Sequence, residues 1–171
     1  MTAELLVLRL VHVLGGIFWV GSLMYTSFFL VPVVRSSPAV AGPVMAGLQK
    51  RRLFVVLPTV ALLTMLSGIR LLMIASTGFS DSYLSSNTGR AFSVGAGAAI
   101  IAFLISMFVS RPAFVHAGKL GASLATTTDE GGRQRITAEM QRLNQRAAIA
   151  NTIVLVLLLL TAASMATARY L

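Results

Sequence analysis

The chain has 171 residues, 56% hydrophobic and only 11% charged, with 14 Lys and Arg against 5 Asp and Glu. A charged fraction below half of the ~25% usual in a water-soluble domain excludes an ordinary soluble globule, and the absence of cysteine excludes disulfides, thiolate metal sites and cysteine nucleophiles. The net charge of +9 does not indicate a nucleic-acid partner, because the basic residues punctuate apolar runs instead of lining one solvated face.

Four apolar runs are long enough to cross a hydrocarbon core of ~30 Å at ~1.5 Å per residue. The first, about residues 5–34, opens on Leu5-Leu6-Val7-Leu8 and stops at Arg35. It is too long for the apolar core of a signal peptide and no clear small-residue cleavage site accompanies it, so it is expected to remain as a helix. Residues 36–49, rich in Ser, Pro, Gly and Ala, read as a turn-containing loop with a short interfacial helix. The second run, 53–75, follows Lys50-Arg51-Arg52, and a polar loop with Asp81 and Asn87 leads to the third run, 91–110, which Arg111-Pro112 closes. Residues 111–128 carry Phe114, Val115 and Leu120 among small residues and read as a segment along the membrane surface. Asp129-Glu130-Gly131-Gly132 breaks the chain, after which Ile136, Met140, Leu143 and Ala147 recur at helical spacing. They predict an extension of the fourth run, 147–168, on which Glu139 reaches Arg135 or Arg142. The expectation is one all-α transmembrane domain over residues 1–171, a four-helix bundle with cytoplasmic loops at 35–52 and 111–146.

Orientation follows from the basic residues. Arg35, Lys50, Arg51, Arg52, Arg111, Lys119, Arg133, Arg135, Arg142 and Arg146 fall in two loops, which leaves only Arg9, Arg70, Arg90 and Arg169 for the other side. The positive-inside rule puts those two loops in the cytoplasm and both termini on the outer, periplasmic side. A cell inner membrane of a bacterium suits this pattern, with lipids as the surrounding partner.

Few groups within the runs can do chemistry. No acidic residue falls inside any of the four, and no Ser-His-Asp set, phosphate-binding glycine loop or His-Glu-x-x-His pattern occurs, so no catalytic residue is assigned. His12 is the informative position, since a histidine inside a membrane helix is costly and normally faces a partner within the bundle. Gly15 and Gly16 follow one turn on and Trp19 two turns on, along one helix face. Two readings stay open: the glycines give a flat macrocycle access to an iron-binding imidazole, or they let a neighbouring helix approach while His12 hydrogen-bonds to it. The alternating directions of the runs bring Arg70, Met73, Met165 and Arg169 to the level of His12 and Arg9. Haem b takes axial ligands from His or Met, and arginine suits its propionates. His12 with Met165 is the expected axial pair, Met73 the substitute and Arg70 the propionate partner. The packing alternative for the methionines and interfacial snorkelling for Arg70 stand beside this. His116 lies at the opposite level and reads as a loop residue.

The run His12-Val-Leu-Gly-Gly-Ile-Phe-Trp19-Val-Gly21 resembles the first helix of CopD/HemJ-like membrane proteins, in which a histidine precedes a tryptophan and a glycine. Arg51-Arg52-Leu-Phe-Val-Val-Leu-Pro58, followed by Leu66-Ser-Gly68-Ile-Arg, is similar to the second helix of that family, and Arg142-Leu-Asn144 to the approach to its last. The resemblance implies a four-helix bundle that binds haem b with an electron-transfer or porphyrin-linked role, or copper handling in the CopD branch. The family's third helix begins near a lysine and carries a histidine, whereas this chain has Arg90 and then Ile100, Ile101 and Ala102. That departure implies a divergent member. Two further readings accompany the haem one. One is a non-catalytic structural or assembly subunit of a larger membrane complex, or a homo-oligomer, using Gly15, Gly16, Gly21, Gly95 and Gly97 for packing. The other is a copper-handling protein using Met73 and Met165.

Overall fold

The computed structural model describes residues 3–171, with the side chains of all but residues 35 and 38–41. Arg35, one of the basic residues counted above, therefore has a side chain outside the described residues. Every regular element in this range is helical. Helix α1 runs over Ala3–Tyr25, passes through one π-helical turn at Thr26–Leu30 and continues over Val31–Ser36. Helix α2 is Pro38–Lys50 and α3 is Leu53–Ala75. A short α4, Asp81–Leu84, precedes α5, which runs over Asn87–Ile105, a second π turn at Ser106–Ser110, and Arg111–Thr126. Helix α6 is Glu130–Thr167 and ends in a 3-10 turn, Ala168–Tyr170.

Local chemistry accounts for several of these boundaries. Both π turns stand directly before a proline at the second position of the following helical piece, Pro32 and Pro112. Proline has no N–H to donate and its ring clashes with the carbonyl four residues back, so a wider turn at that point lets the helix continue. Arg52 takes a left-handed conformation, φ 56°, between α2 and α3, and its carbonyl accepts from Val55 and Val56. Ser86 caps α5 by accepting from the Gly89 amide at 3.1 Å, and Asp129 caps α6 by accepting from Gly132 at 2.6 Å.

Four helical stretches, Ala3–Val34, Leu53–Ala75, Asn87–Thr126 and Glu130–Tyr170, are long and apolar enough to cross a membrane. Pairing is most extensive between α5 and α6 and between α1 and α3, while α3–α5 and α1–α6 contacts close the ring. The core draws one residue or more from each: Trp19 of α1, Ala61 of α3, Ala102 of α5, and Val154 and Leu158 of α6. Phe103 meets Trp19 edge to face at 6.4 Å. Side chains such as Leu14, Ile17, Leu66, Phe108 and Val156 point outward. Small residues inside and large apolar ones outside are what a bundle solvated by lipid requires, since lipid tails are as apolar as leucine.

The stretch 111–128 differs from the expected surface segment, whereas Glu130 onward is helical, as the extension of the fourth run requires. Apart from a short break after Thr126 the whole of 111–146 is helical, and its two arms pack together as the continuation of α5 and the start of α6. Ala113 and Ala117 on one arm are buried, and Gly121 lies against Met140 of the other. Residues 111–126 therefore spend their small apolar face on α6 instead of on a membrane surface. His116 is helical, and its Nε2 lies 3.2 Å from a carboxylate oxygen of Glu139, the acid expected to pair with Arg135 or Arg142. Helices of 40 and 41 residues measure about 60 Å at ~1.5 Å per residue, twice a hydrocarbon core.

Candidate functional site

The seam between α1 and α3 holds His12. Its Nδ1 lies 2.8 Å from the backbone carbonyl oxygen of Thr64. A carbonyl only accepts, so in the neutral ring Nδ1 carries the proton and Nε2 keeps the lone pair. The imidazole lies over Gly68, where a Cβ would stand 2.6 Å from its Cε1 and 2.8 Å from its Nδ1. Any larger residue at position 68 would displace the ring. The Thr64 carbonyl also accepts from the Ser67 hydroxyl at 3.0 Å, so α3 presents a small polar ledge of Thr64, Ser67 and Gly68 to His12.

The two glycines after His12 serve helix approach. A Cβ on Gly15 would overlap Oγ1 of Thr64, and one on Gly16 would come to 3.8 Å of the Thr64 methyl. Thr64 thus lies directly beside Gly15, the close helix approach that is one of the two readings of these glycines. Gly21 and Gly97 have nothing within 4 Å of a built Cβ, so they contribute no packing contact of this kind. Trp19 is 7% exposed and belongs to the core.

Arg70 is held by Glu4. Its Nη2 and Nε approach one carboxylate oxygen at 2.7 and 2.9 Å, and its Nη1 lies 3.8 Å from the Met73 sulfur. The ion pair ties the start of α1 to the last turns of α3, and it occupies the guanidinium proposed for a propionate. Glu4 was missed by sequence reasoning because it precedes the apolar run and stands 66 residues from its partner. Met165 sits in the other seam, with its Cγ 3.3 Å from a Cβ built on Gly95. Beside it, Thr161 donates to the Gly95 carbonyl at 3.1 Å and Ser164 donates to that of Ala91. His12 and Met165 therefore occupy different interhelical seams, and Met73 is 41% exposed. The cationic end of Arg169 stacks over Tyr170 at 4.7 Å.

Among the described residues no group of three or more His, Asp or Glu is placed to hold a metal ion. No protein-family model, curated protein or solved structure matches the chain. The donor chemistry still bears on haem. A ligating histidine usually donates its other ring N–H to a carbonyl or carboxylate, which fixes the tautomer and orients the ring. His12 has that bond, to Thr64, so it fits a group held by a single imidazole. Gly15, Arg70 and Met165, each engaged elsewhere, do not add to the fit.

Proposed function

We propose that this chain is a divergent CopD/HemJ-like protein that binds haem b through Nε2 of His12, in the outer half of a bundle whose termini face the periplasm of a bacterial inner membrane. The observation that carries this reading is the Nδ1–H bond from His12 to the Thr64 carbonyl, which leaves Nε2 as the only unprotonated ring nitrogen. The basic residues concentrated in 35–52 and 111–146 support the orientation. When bound, haem supplies one-electron chemistry at iron, in keeping with an electron-transfer or porphyrin-linked role. Thr64 holds the imidazole in one tautomer, Gly68 gives the ring its resting surface, and Gly15 brings α1 close enough to α3 for both. Arg70 stays with Glu4, and Met165 stays with Gly95.

The test is the absorption spectrum of the full chain purified in detergent from haem-replete cells. A Soret band should be present, should disappear in His12→Ala, and should survive in Met165→Leu and Met73→Leu. A folded, colourless wild-type protein would sink the proposal.

A second reading, a non-catalytic assembly subunit, draws on the sparse packing of α1. Among the described residues of α1 Trp19 is the only buried one, and Leu6, Val7, Leu10, Val13, Leu14, Ile17 and Phe18 all face outward. Under this reading His12 is an interhelical clamp, and a colourless protein that copurifies with partner subunits is the expected result.

A further inference from the structure

Midway along α5 and α6, where their apolar stretches give way to the paired arms, lies an open cleft of about 480 Å³ with two chemically distinct halves. One half carries Arg142, Gln145 and Arg146, and the other is walled by Ile149 and Ile153 of α6 and by Ile105 of α5. Positions 142, 146, 149 and 153 form one stripe of α6, so cations and aliphatic side chains succeed one another along a single helix face. Their level is set by the sequence. Below Arg146 the helix is amphipathic back to Glu130, with charged and polar residues at most positions, and above it the apolar stretch 147–168 begins. Ile105 likewise lies six residues before Arg111 closes the apolar part of α5. The cleft therefore straddles the boundary between hydrocarbon and headgroup region.

Neither the Arg142 nor the Arg146 guanidinium has an acidic partner or a hydrogen bond among the described residues, although Glu139 lies on the same helix and turns to His116. Two unpaired guanidiniums beside an apolar trough are complementary to a phosphate joined to an acyl chain. Arginine grips phosphate through paired N–H donors, and basic clefts between membrane helices are suited to anionic headgroups. A soluble phosphate would leave the isoleucine wall bare, and a zwitterionic lipid would bring a cation of its own toward the arginines. We infer that the cleft binds one anionic phospholipid, its phosphate on Arg142 and Arg146 and one acyl chain along Ile149 and Ile153.

The experiment is native mass spectrometry of the full chain released from detergent and titrated with phosphatidylglycerol or with phosphatidylcholine of the same chains. One phosphatidylglycerol should be retained in preference to phosphatidylcholine, and glycerol 3-phosphate at millimolar concentration should not displace it. At ~1 kcal/mol for each basic residue near the headgroups, Arg142→Gln with Arg146→Gln should weaken retention roughly 30-fold. The pair Arg133→Gln with Arg135→Gln removes the same charge from the same helix outside the cleft and should change it less than twofold. Equal weakening by both pairs would show diffuse attraction and overturn the site, as would unchanged retention in the first pair. Displacement by glycerol 3-phosphate would assign the cleft to a soluble phosphate and overturn the lipid. Far-UV circular dichroism of each variant establishes that the helices are intact.

Discussion

Replacing Gly68 by alanine tests the seating of His12 most directly. The new methyl would stand 2.6 Å from Cε1 and 2.8 Å from Nδ1 of the ring, distances at which the imidazole must leave. Overpacking of this kind costs about 1–3 kcal/mol, and the interhelical hydrogen bond lost with it is worth about 0.6 kcal/mol in a membrane protein. Gly68→Ala should therefore destabilise by about 2 kcal/mol. His12→Ala should cost about 1 kcal/mol, through the same hydrogen bond and the space it leaves. The double variant should cost about 1 kcal/mol and not the sum of roughly 3, because the methyl then occupies the space left by the ring. The coupling of about 2 kcal/mol is the quantity to measure, by unfolding all four proteins with sodium dodecyl sulfate in mixed micelles and following far-UV circular dichroism. Additive effects, with coupling below about 0.5 kcal/mol, would refute the contact between His12 and Gly68.

Gly15→Ala should destabilise by about 1–3 kcal/mol through overlap with Thr64, and Thr64→Ala in the same chain should restore most of that loss in the same titration. Gly89→Ala should be harsher, more than about 2 kcal/mol, because the added Cβ meets the Tyr83 carbonyl and neighbouring backbone. Rigid main chain cannot swing aside, and a fall in folded yield on size-exclusion chromatography is the readout. Glu4→Gln or Arg70→Gln should change stability by less than about 1 kcal/mol, since the two side chains are 53% and 45% exposed, and the difference should shrink in 1 M salt.

The four spans are legible because lipid imposes a one-dimensional rule on the chain, twenty or so apolar residues bounded by charge. The helical arms outside them are less legible. Residues 111–126 bury Ala113 and Ala117 and lay Gly121 against Met140 of α6, a pattern too small in hydrophobicity to distinguish a packed helix from a surface segment. His12 stood out as a rare polar group in an apolar run, yet its partner is a backbone carbonyl, which carries no sequence signature. The spacing Thr64-x-x-Ser67-Gly68 was the available signal, a small polar face in an otherwise aliphatic helix. The Glu4–Arg70 pair depends on how far α1 and α3 overlap, and Gly89 on a backbone turn at Tyr83; both are facts of three-dimensional approach. Arg111-Pro112 reads as the close of the third run and Pro32 as one more residue of the first, whereas a widened turn carries the helix past each proline.

The paired continuation of α5 and α6 also has a mechanical meaning. Its 16-residue arm Arg111–Thr126 measures about 24 Å at ~1.5 Å per residue, so the tip at 127–129 stands about that distance beyond Ser110, where the apolar run of α5 ends. A hairpin of two joined helices resists bending far better than a loop.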